Sequence, residues 1–263
     1  MTEAPGAAAS GDDLGATLDH LAARAWPAAE VQMHDGWWLR FNDGLHRRVN
    51  SVFPERDGTT ALDERIRAAE AFYRENDLPP RFQISPACRP ADLDSILEAR
   101  GYVPESGVDI MIADAEPLAA LDGGPAAVRL EPALSDDWLD VHMADAADPE
   151  TKRRKGAMLE RIGPPHVFAA ALQGGRCVAA GLAIAGDGWF GVFGMYTLAA
   201  ARRQGHARTL LTAMAGWALA QGVPRAYLQV ERDNPGALSV YCRAGFETVH
   251  GYHYRTLWNG ADG

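Results

Sequence analysis

Residues Cys177 to Tyr196 constrain the fold more than any other stretch: they are apolar enough to resemble a membrane span, yet Gly186-Asp187-Gly188 interrupts them. A spanning helix needs about 20 unbroken apolar residues, whereas a Gly-Asp-Gly run is a turn signal. The stretch is therefore predicted as a hairpin of two strands, Cys177 to Ala185 and Trp189 to Leu198. A strand from Val167 to Leu172 precedes them across a turn at Gly174-Gly175.

The rest of the chain reads as two successive sets of elements. Met1 to about Gly15 is rich in Ala, Gly, Ser and Asp and reads as a disordered leader. Residues 16–120 follow as a first unit, beginning with a helix around Leu18 to Arg24 and a hairpin from Trp37 to Phe53 that turns at Asn42-Asp43-Gly44. An amphipathic helix spans Thr60 to Asn76, a short strand covers Phe82 to Ile84, a helix Asp92 to Ala99, and a strand Val108 to Ala113. Asp122-Gly123-Gly124-Pro125 marks a linker within Leu118 to Ala127. The second unit, residues 127–258, begins with a strand at Val128 to Leu130 and helices from Ser135 to Ala146 and Glu150 to Ile162. After its three strands come a helix from Ala207 to Gln221, a strand from Ala226 to Glu231, a helix from Pro235 to Ala244, and strands beyond Phe246. The halves echo each other: Leu97-Glu98-Ala99-Arg100-Gly101-Tyr102 resembles Tyr241-Cys242-Arg243-Ala244-Gly245-Phe246 at an offset of 144, which points to duplication.

Composition narrows the function classes. With 263 residues, 47% apolar and 23% charged, the chain is ordinary globular material long enough for two small domains or one large one. Its formal charge of −10 argues against general affinity for nucleic acid and favours cationic partners. Three scattered cysteines, Cys88, Cys177 and Cys242, form no C-x-x-C pair and no disulfide framework, and the first 25 residues carry no cationic signal-peptide region. A cytoplasmic protein without membrane association is the expectation.

The chemistry concentrates between Tyr196 and Phe246. There a strand feeds Thr197-Leu198-Ala199-Ala200-Ala201-Arg202-Arg203-Gln204-Gly205-His206-Ala207-Arg208, a tight loop that opens into an Ala/Leu-rich helix. Unpaired backbone N–H groups and the positive end of the helix dipole converge at such a start, which suits an anion such as a pyrophosphate. Arg203 and Arg208 can add charge-assisted hydrogen bonds. No G-x-x-x-x-G-K-[ST] run supports a P-loop nucleotidase.

R-x-x-G-x-A before a helix, followed by Asn234 and the run Ala237, Tyr241, Gly245, Phe246 in the pattern N-x-x-A-x-x-x-Y-x-x-x-G-F, resembles the acyl-coenzyme A signature of the GNAT superfamily of N-acetyltransferases. The resemblance covers roughly Val128 to Leu257. It implies an α/β fold of tandem acyltransferase-like units, each a mixed, mostly antiparallel sheet flanked by helices, with acetyl-coenzyme A bound only in the second. By the same resemblance, Met195, Tyr196 and Thr197 lie on the strand that pairs with the pantetheine arm and offers an amide to the thioester oxygen. Arg203, Gln204, Gly205, His206, Ala207 and Arg208 match the loop that wraps the pyrophosphate, and Asn234 helps to hold the cofactor. Tyr241 stands where the family places the general acid that protonates the leaving thiolate.

Where several relatives carry a basic Glu this chain has Gln229, which cannot accept a proton; Glu231 lies on the same strand face and is the candidate base. The first half resembles the degenerate first unit of two-domain members through Trp26-Pro27-Ala28, Gly36 to Phe41 and Arg47 to Val52. It has Leu97 in place of Tyr241 and no R-x-x-G-x-A loop, so catalytic silence is expected there. The implied reaction is direct transfer of acetyl from acetyl-coenzyme A to an amine of a small molecule or peptide, with a non-catalytic acyl-coenzyme A sensor or scaffold as the alternative. His250 and His253 fall on opposite strand faces, so no metal pair is expected. The run Lys152-Arg153-Arg154-Lys155 reads as a solvated helix face.

Overall fold

The computed structural model describes residues 11–258 apart from Pro125 and Ala147. Of the leader expected over residues 1–15, residues 1–10 lie outside the described chain, whereas 11–15 belong to the first helix, which begins at Gly11 and not at Leu18. In chain order the first half comprises α1 (Gly11–Ala25), β1 (Glu30–His34), β2 (Trp37–Phe41), β3 (Val52–Phe53), α2 (Leu62–Glu75), β4 (Arg81–Ile84), α3 (Leu93–Ala99), β5 (Val103–Pro104), β6 (Val108–Asp114) and α4 (Ala115–Ala119). The second comprises β7 (Ala127–Glu131), α5 (Asp136–His142), α6 (Pro149–Leu159), β8 (His166–Gln173), β9 (Arg176–Gly186), β10 (Trp189–Thr197), α7 (His206–Ala220), β11 (Arg225–Glu231), α8 (Pro235–Arg243) and β12 (Glu247–Thr256).

The apolar stretch of the second half is the hairpin β9–β10, with Asp187 and Gly188 both in the left-handed region that a two-residue turn requires. Among the described residues no helix is long and apolar enough to cross a membrane. The first hairpin differs from expectation. Its strands are β1 and β2 and its turn is Asp35-Gly36, again with both residues at positive φ. The expected return is present but short: β3 pairs antiparallel with β2, Trp38 opposite Phe53 and Leu39 opposite Val52, while residues 42–51 between them form a loop and not a tight turn. Asn50 holds it, its Oδ1 accepting from the backbone N–H of Asn42 at 2.7 Å and of Gly44 at 3.0 Å, so the backbone bonds that a strand would make are taken up locally.

One twelve-stranded sheet runs through both halves, in the order β1-β2-β3-β4-β12-β6-β11-β10-β9-β8-β7, with β5 paired to β12 off that path. Most neighbours are antiparallel; β3 with β4 and β10 with β11 are parallel. These two parallel pairs expose the duplication. In each half a helix crosses between the parallel strands, α2 or α7, and another follows the second strand, α3 or α8. The halves also exchange strands. β6, from residues 16–120, pairs with β11 on one side and β12 on the other, and the far end of β12 pairs with β4 and β5 of the first half.

Helices cover both faces of the second half's sheet. α7, α8 and α4 bury Leu210, Leu211, Met214 and Phe246 against one face; α5, α6 and α1 bury Trp138, Met158, Leu159 and Leu18 against the other. Trp138 locks α5 down: its indole N–H lies 3.1 Å from the Ala169 carbonyl and 3.0 Å from that of Gly181, and the side chain is fully buried. The site sits where this two-sided packing meets the gap between β10 and β11.

Candidate functional site

β10 and β11 run paired only from Trp189–Arg225 to Val192–Leu228, although both continue further. Their unpaired ends open a groove of about 950 Å³ on the α7/α8 side. Eleven of the twelve residues singled out in the sequence line it: Met195, Tyr196 and Thr197 from β10, Arg203, Gln204, Gly205, His206, Ala207 and Arg208 from the loop and first turn of α7, and Asn234 and Tyr241 from α8. Glu231 is the exception.

Positive φ builds the loop. Arg203 has φ +62° and Gly205 has φ +88°, and Gly205 caps α7. Only glycine adopts the left-handed region without cost. The Gly205 carbonyl accepts both the backbone N–H of Thr209 at 3.0 Å and its hydroxyl at 3.2 Å, which fixes the start of the helix. Gln204 braces the outside, donating to the Ala200 carbonyl at 3.1 Å and accepting from Gln173 at 2.9 Å. The first-turn amides of α7 are left free for a ligand. His206 adds a second sign of an absent partner: it is 4% exposed, and neither ring nitrogen finds a hydrogen bond among the described residues. Left-handed backbone, free helix amides and flanking Arg203 and Arg208 together suit a pyrophosphate.

α8 supplies the other wall. Asn234 is its N-cap, with the side-chain oxygen accepting from the Ala237 N–H at 3.0 Å, and Pro235 opens the helix. Tyr241 is 8% exposed and packs edge-on to Phe246 with ring centroids 5.8 Å apart. Burial pushes its phenol up to about 12, so it holds its proton throughout the neutral range.

Glu231 stands apart from the groove. Its carboxylate is half-exposed and ion-paired to Arg47, which also bonds Glu105 at 2.8 Å. Gln229 accepts from the Tyr252 hydroxyl at 3.3 Å.

The opposite face of β10 carries residues that sequence reasoning missed or misread. A bulge between Phe193 and Tyr196 places Gly194 at φ +59°, where an added Cβ would stand 3.3 Å from the Trp138 ring. The Gly194 carbonyl faces His142 Nδ1 at 3.1 Å. Burial, with Lys155 adding to it, lowers the His142 imidazole to about 3; it is neutral, and its Nδ1–H donates. Lys155 does not lie on the solvated face expected of the Lys152–Lys155 run. It is 6% exposed, with its ammonium 4.5 Å from the centre of the Trp26 ring. The reason is its position on α6: Lys155 shares the helix face of the buried Met158 and Leu159, three and four residues on, whereas Arg153 pairs outward with Glu150. Burial first, and then Arg48, lowers Lys155 from 10.5 to about 7.

That shift fixes a pH dependence. Between about 7 and 10.5 the unfolded chain holds the Lys155 proton while the folded chain has lost it, so stability rises with pH across that window. Below about 7 both states hold it and the contribution is flat. Lys155 faces Arg48 and His46 from the loop before β3 and His142 from α5, all basic and none titrating as an acid. Urea midpoints measured at pH 7 and pH 9 are expected to rise more in the native chain than in Lys155→Met; parallel profiles would refute the assignment.

In the first half, the ends of β3 and β4 also border a cavity, of about 320 Å³, lined by Glu55, Ser85 and Cys88 with Asp19 and His20 of α1. No glycine loop opens α2 there: Ala61 precedes the helix with no side-chain cap. His250 and His253 part company on β12, the first facing Asp19 and the second Asp94.

Comparison with known proteins agrees with this architecture. The sequence profile of the family described as "Probable histone acetyltransferase Rv0428c C-terminal" matches residues 16–255. Among curated proteins the chain is 28% identical over 244 residues to the uncharacterized N-acetyltransferase YobR of Bacillus subtilis, covering 90% of this chain and 96% of that protein. It is 28% identical over 242 residues to the probable histone acetyltransferase Rv0428c of Mycobacterium tuberculosis, covering 90% and 72%. Among solved structures a GCN5-related N-acetyltransferase from Kribbella flavida superposes with a TM-score of 0.68 at 18% identity, covering 94% and 96%. The chain therefore belongs to the Rv0428c C-terminal acetyltransferase family, is an acyltransferase, and has the fold of a GCN5-related N-acetyltransferase.

Proposed function

We propose that the chain transfers an acetyl group from acetyl-coenzyme A to a primary amine by direct attack on the thioester, within the groove between the parted ends of β10 and β11. The observation that carries this reading is the convergence on one groove of the left-handed Gly205 loop, the free first turn of α7 and the buried, protonated Tyr241.

When bound, acetyl-coenzyme A supplies the acetyl group as a thioester. The chain's own residues would then divide the work. The amides at the start of α7, with Arg203 and Arg208, hold the pyrophosphate. The backbone of Met195 to Thr197, released from pairing with β11, offers hydrogen bonds to the pantetheine arm and to the thioester oxygen. Tyr241 delivers its proton to the departing sulfur, which would otherwise leave as a thiolate, and solvent returns to it the proton that the nitrogen sheds once the C–N bond has formed. Among the described residues no carboxylate lines the groove, and Arg47 occupies Glu231. The reading therefore assigns the acceptor's deprotonation to no side chain and needs the acceptor to arrive as the free amine.

Calorimetric titration with acetyl-coenzyme A, followed by a thiol-release assay over a panel of primary amines, tests the proposal. Saturation at one cofactor per chain and thiol release that depends on the amine are expected. Binding without release by any amine would favour the sensor reading, and absence of binding would remove both.

A further inference from the structure

The face of β10 opposite the groove gathers basic groups beside which the described residues place no carboxylate, although the Tyr252 hydroxyl bonds Arg48. Arg48 lies over two rings, 5.9 Å from Trp26 and 5.7 Å from Phe193. Lys155 lies over the same Trp26 ring. His46 and His142 complete the set; the charges acting on His46 come from Lys155, Arg48, Arg47 and His142, all basic. Among the described residues neither Arg48 nor Lys155 forms an ion pair, and the buried Nε of Arg48 has no hydrogen-bond partner. Arg47, the next residue in the chain, is by contrast satisfied by Glu105 and Glu231.

Such a cluster is costly. A buried charge without a counter-charge is strongly destabilising, and in a chain with ten more acidic than basic residues a carboxylate neighbour would be easy to supply. The place also matters. Phe193, under Arg48, is the last residue before the Gly194 bulge, and the next residues, Met195 to Thr197, line the groove. The cluster and the groove are thus the two sides of one parted strand. Arg48 is only partly buried, and on its side the cluster borders solvent.

We propose that Arg48 and Lys155 form an anion subsite for the acceptor, so that the amine acetylated by this chain belongs to a small molecule that also carries a carboxylate. This rests on the acetyltransferase reading above and sharpens it. A guanidinium and an ammonium converging from two elements can share the two oxygens of a carboxylate. The Trp26 and Phe193 rings beneath them are core residues packed on each other at 5.4 Å, so they fix the two cations in place and leave the anion to meet them from the Arg48 side. The bound anion supplies the counter-charge that the fold omits and thereby favours the protonated form of Lys155, which the free fold gives up near neutral pH. The overall acidity of the chain, which by itself favours cationic acceptors, is reversed at this spot.

Two measurements on the full chain test the subsite. Phenylacetate, a carboxylate without an amine, is titrated into the protein in the absence of acetyl-coenzyme A. Saturable binding is expected, weakened at least tenfold in Arg48→Gln and in Lys155→Met. Lys155→Met doubles as the safeguard against misfolding. Its removal of an unpaired buried charge should leave the Tm equal or raised while affinity falls, whereas a purely structural lysine would show a lowered Tm. Next, kcat/KM with acetyl-coenzyme A is compared for phenylalanine and for phenethylamine, which lacks the carboxylate. Preference for phenylalanine, collapsing in Arg48→Gln, is expected. Failure of phenylacetate to bind, equal binding by all three proteins, or preference for phenethylamine would overturn the subsite. Since the first titration needs no acetyl transfer, it speaks to the subsite even if no amine releases thiol, and thiol release from phenethylamine alone would leave the transferase reading standing without it.

Discussion

Replacing Gly205 by Glu is expected to lower the affinity for acetyl-coenzyme A by at least about 100-fold. Two effects act on different quantities. A carboxylate facing a pyrophosphate carries a like-charge penalty of several kcal/mol in binding, and each 1.4 kcal/mol is tenfold in affinity, so this alone reaches the stated loss. The left-handed strain of about 1–2 kcal/mol that a Cβ bears at φ +88° is common to the free and the bound chain and lowers stability instead. There is open space at this position, the nearest atom to an added Cβ being Arg208 Nη2 at 3.9 Å, so the variant has room to fold. Gly205→Asn separates the two effects, because Asn tolerates the left-handed region and brings no charge. It should retain most of the affinity. Calorimetry on the three proteins decides the matter: unchanged binding by Gly205→Glu would move the cofactor away from the α7 loop altogether.

Tyr241→Phe should reduce kcat on the order of 100-fold while KM for acetyl-coenzyme A and thermal stability change little, as loss of a general acid commonly costs 10²–10⁴. The ring keeps its edge-on contact with Phe246 and its burial, and only the hydroxyl is removed. Burial is the sole cause of the raised pKa, so no hydrogen-bond partner is left stranded by the change. The deficit should shrink towards low pH, where solvent can protonate the leaving sulfur. A variant with full kcat would show that the thiolate leaves unaided, and Tyr241 would then be a packing residue of α8.

The loop and α8 could be read directly because their information is local. Gly205 is needed for one backbone conformation, Asn234 for one cap and Pro235 for one helix start, and each requirement is met by residues within four positions along the chain. The turns at Gly174-Gly175 and Asp187-Gly188 are legible for the same reason: two consecutive left-handed residues joining antiparallel strands. Around the first hairpin stand two turn signals of the same kind. Asp35-Gly36 and Asp43-Gly44 both adopt positive φ and both lie between antiparallel strands; the first is the whole turn of β1–β2, the second only the start of the loop, held by Asn50, that leads from β2 to β3.

By itself, then, the sequence determined the duplicated order of elements, the apolar hairpin of the second half, and the residue types that line the groove. The tertiary structure decided what depends on partners distant in sequence. β6 lies between β11 and β12, more than a hundred residues away from each, where Val108 and Ile110 enter one helix-covered core and Met111 the other; its apolar pattern specifies burial but not a neighbour. Glu231 is half-exposed on a groove-side strand yet neutralised by Arg47 from the other half. Lys155 sits in a run of four basic residues that looks uniformly solvated, and its burial over Trp26 is imposed by how α6 packs against α1 and the loop before β3. Period and composition describe a segment's own preferences; the charge environment of a side chain is set by whatever the rest of the fold brings beside it.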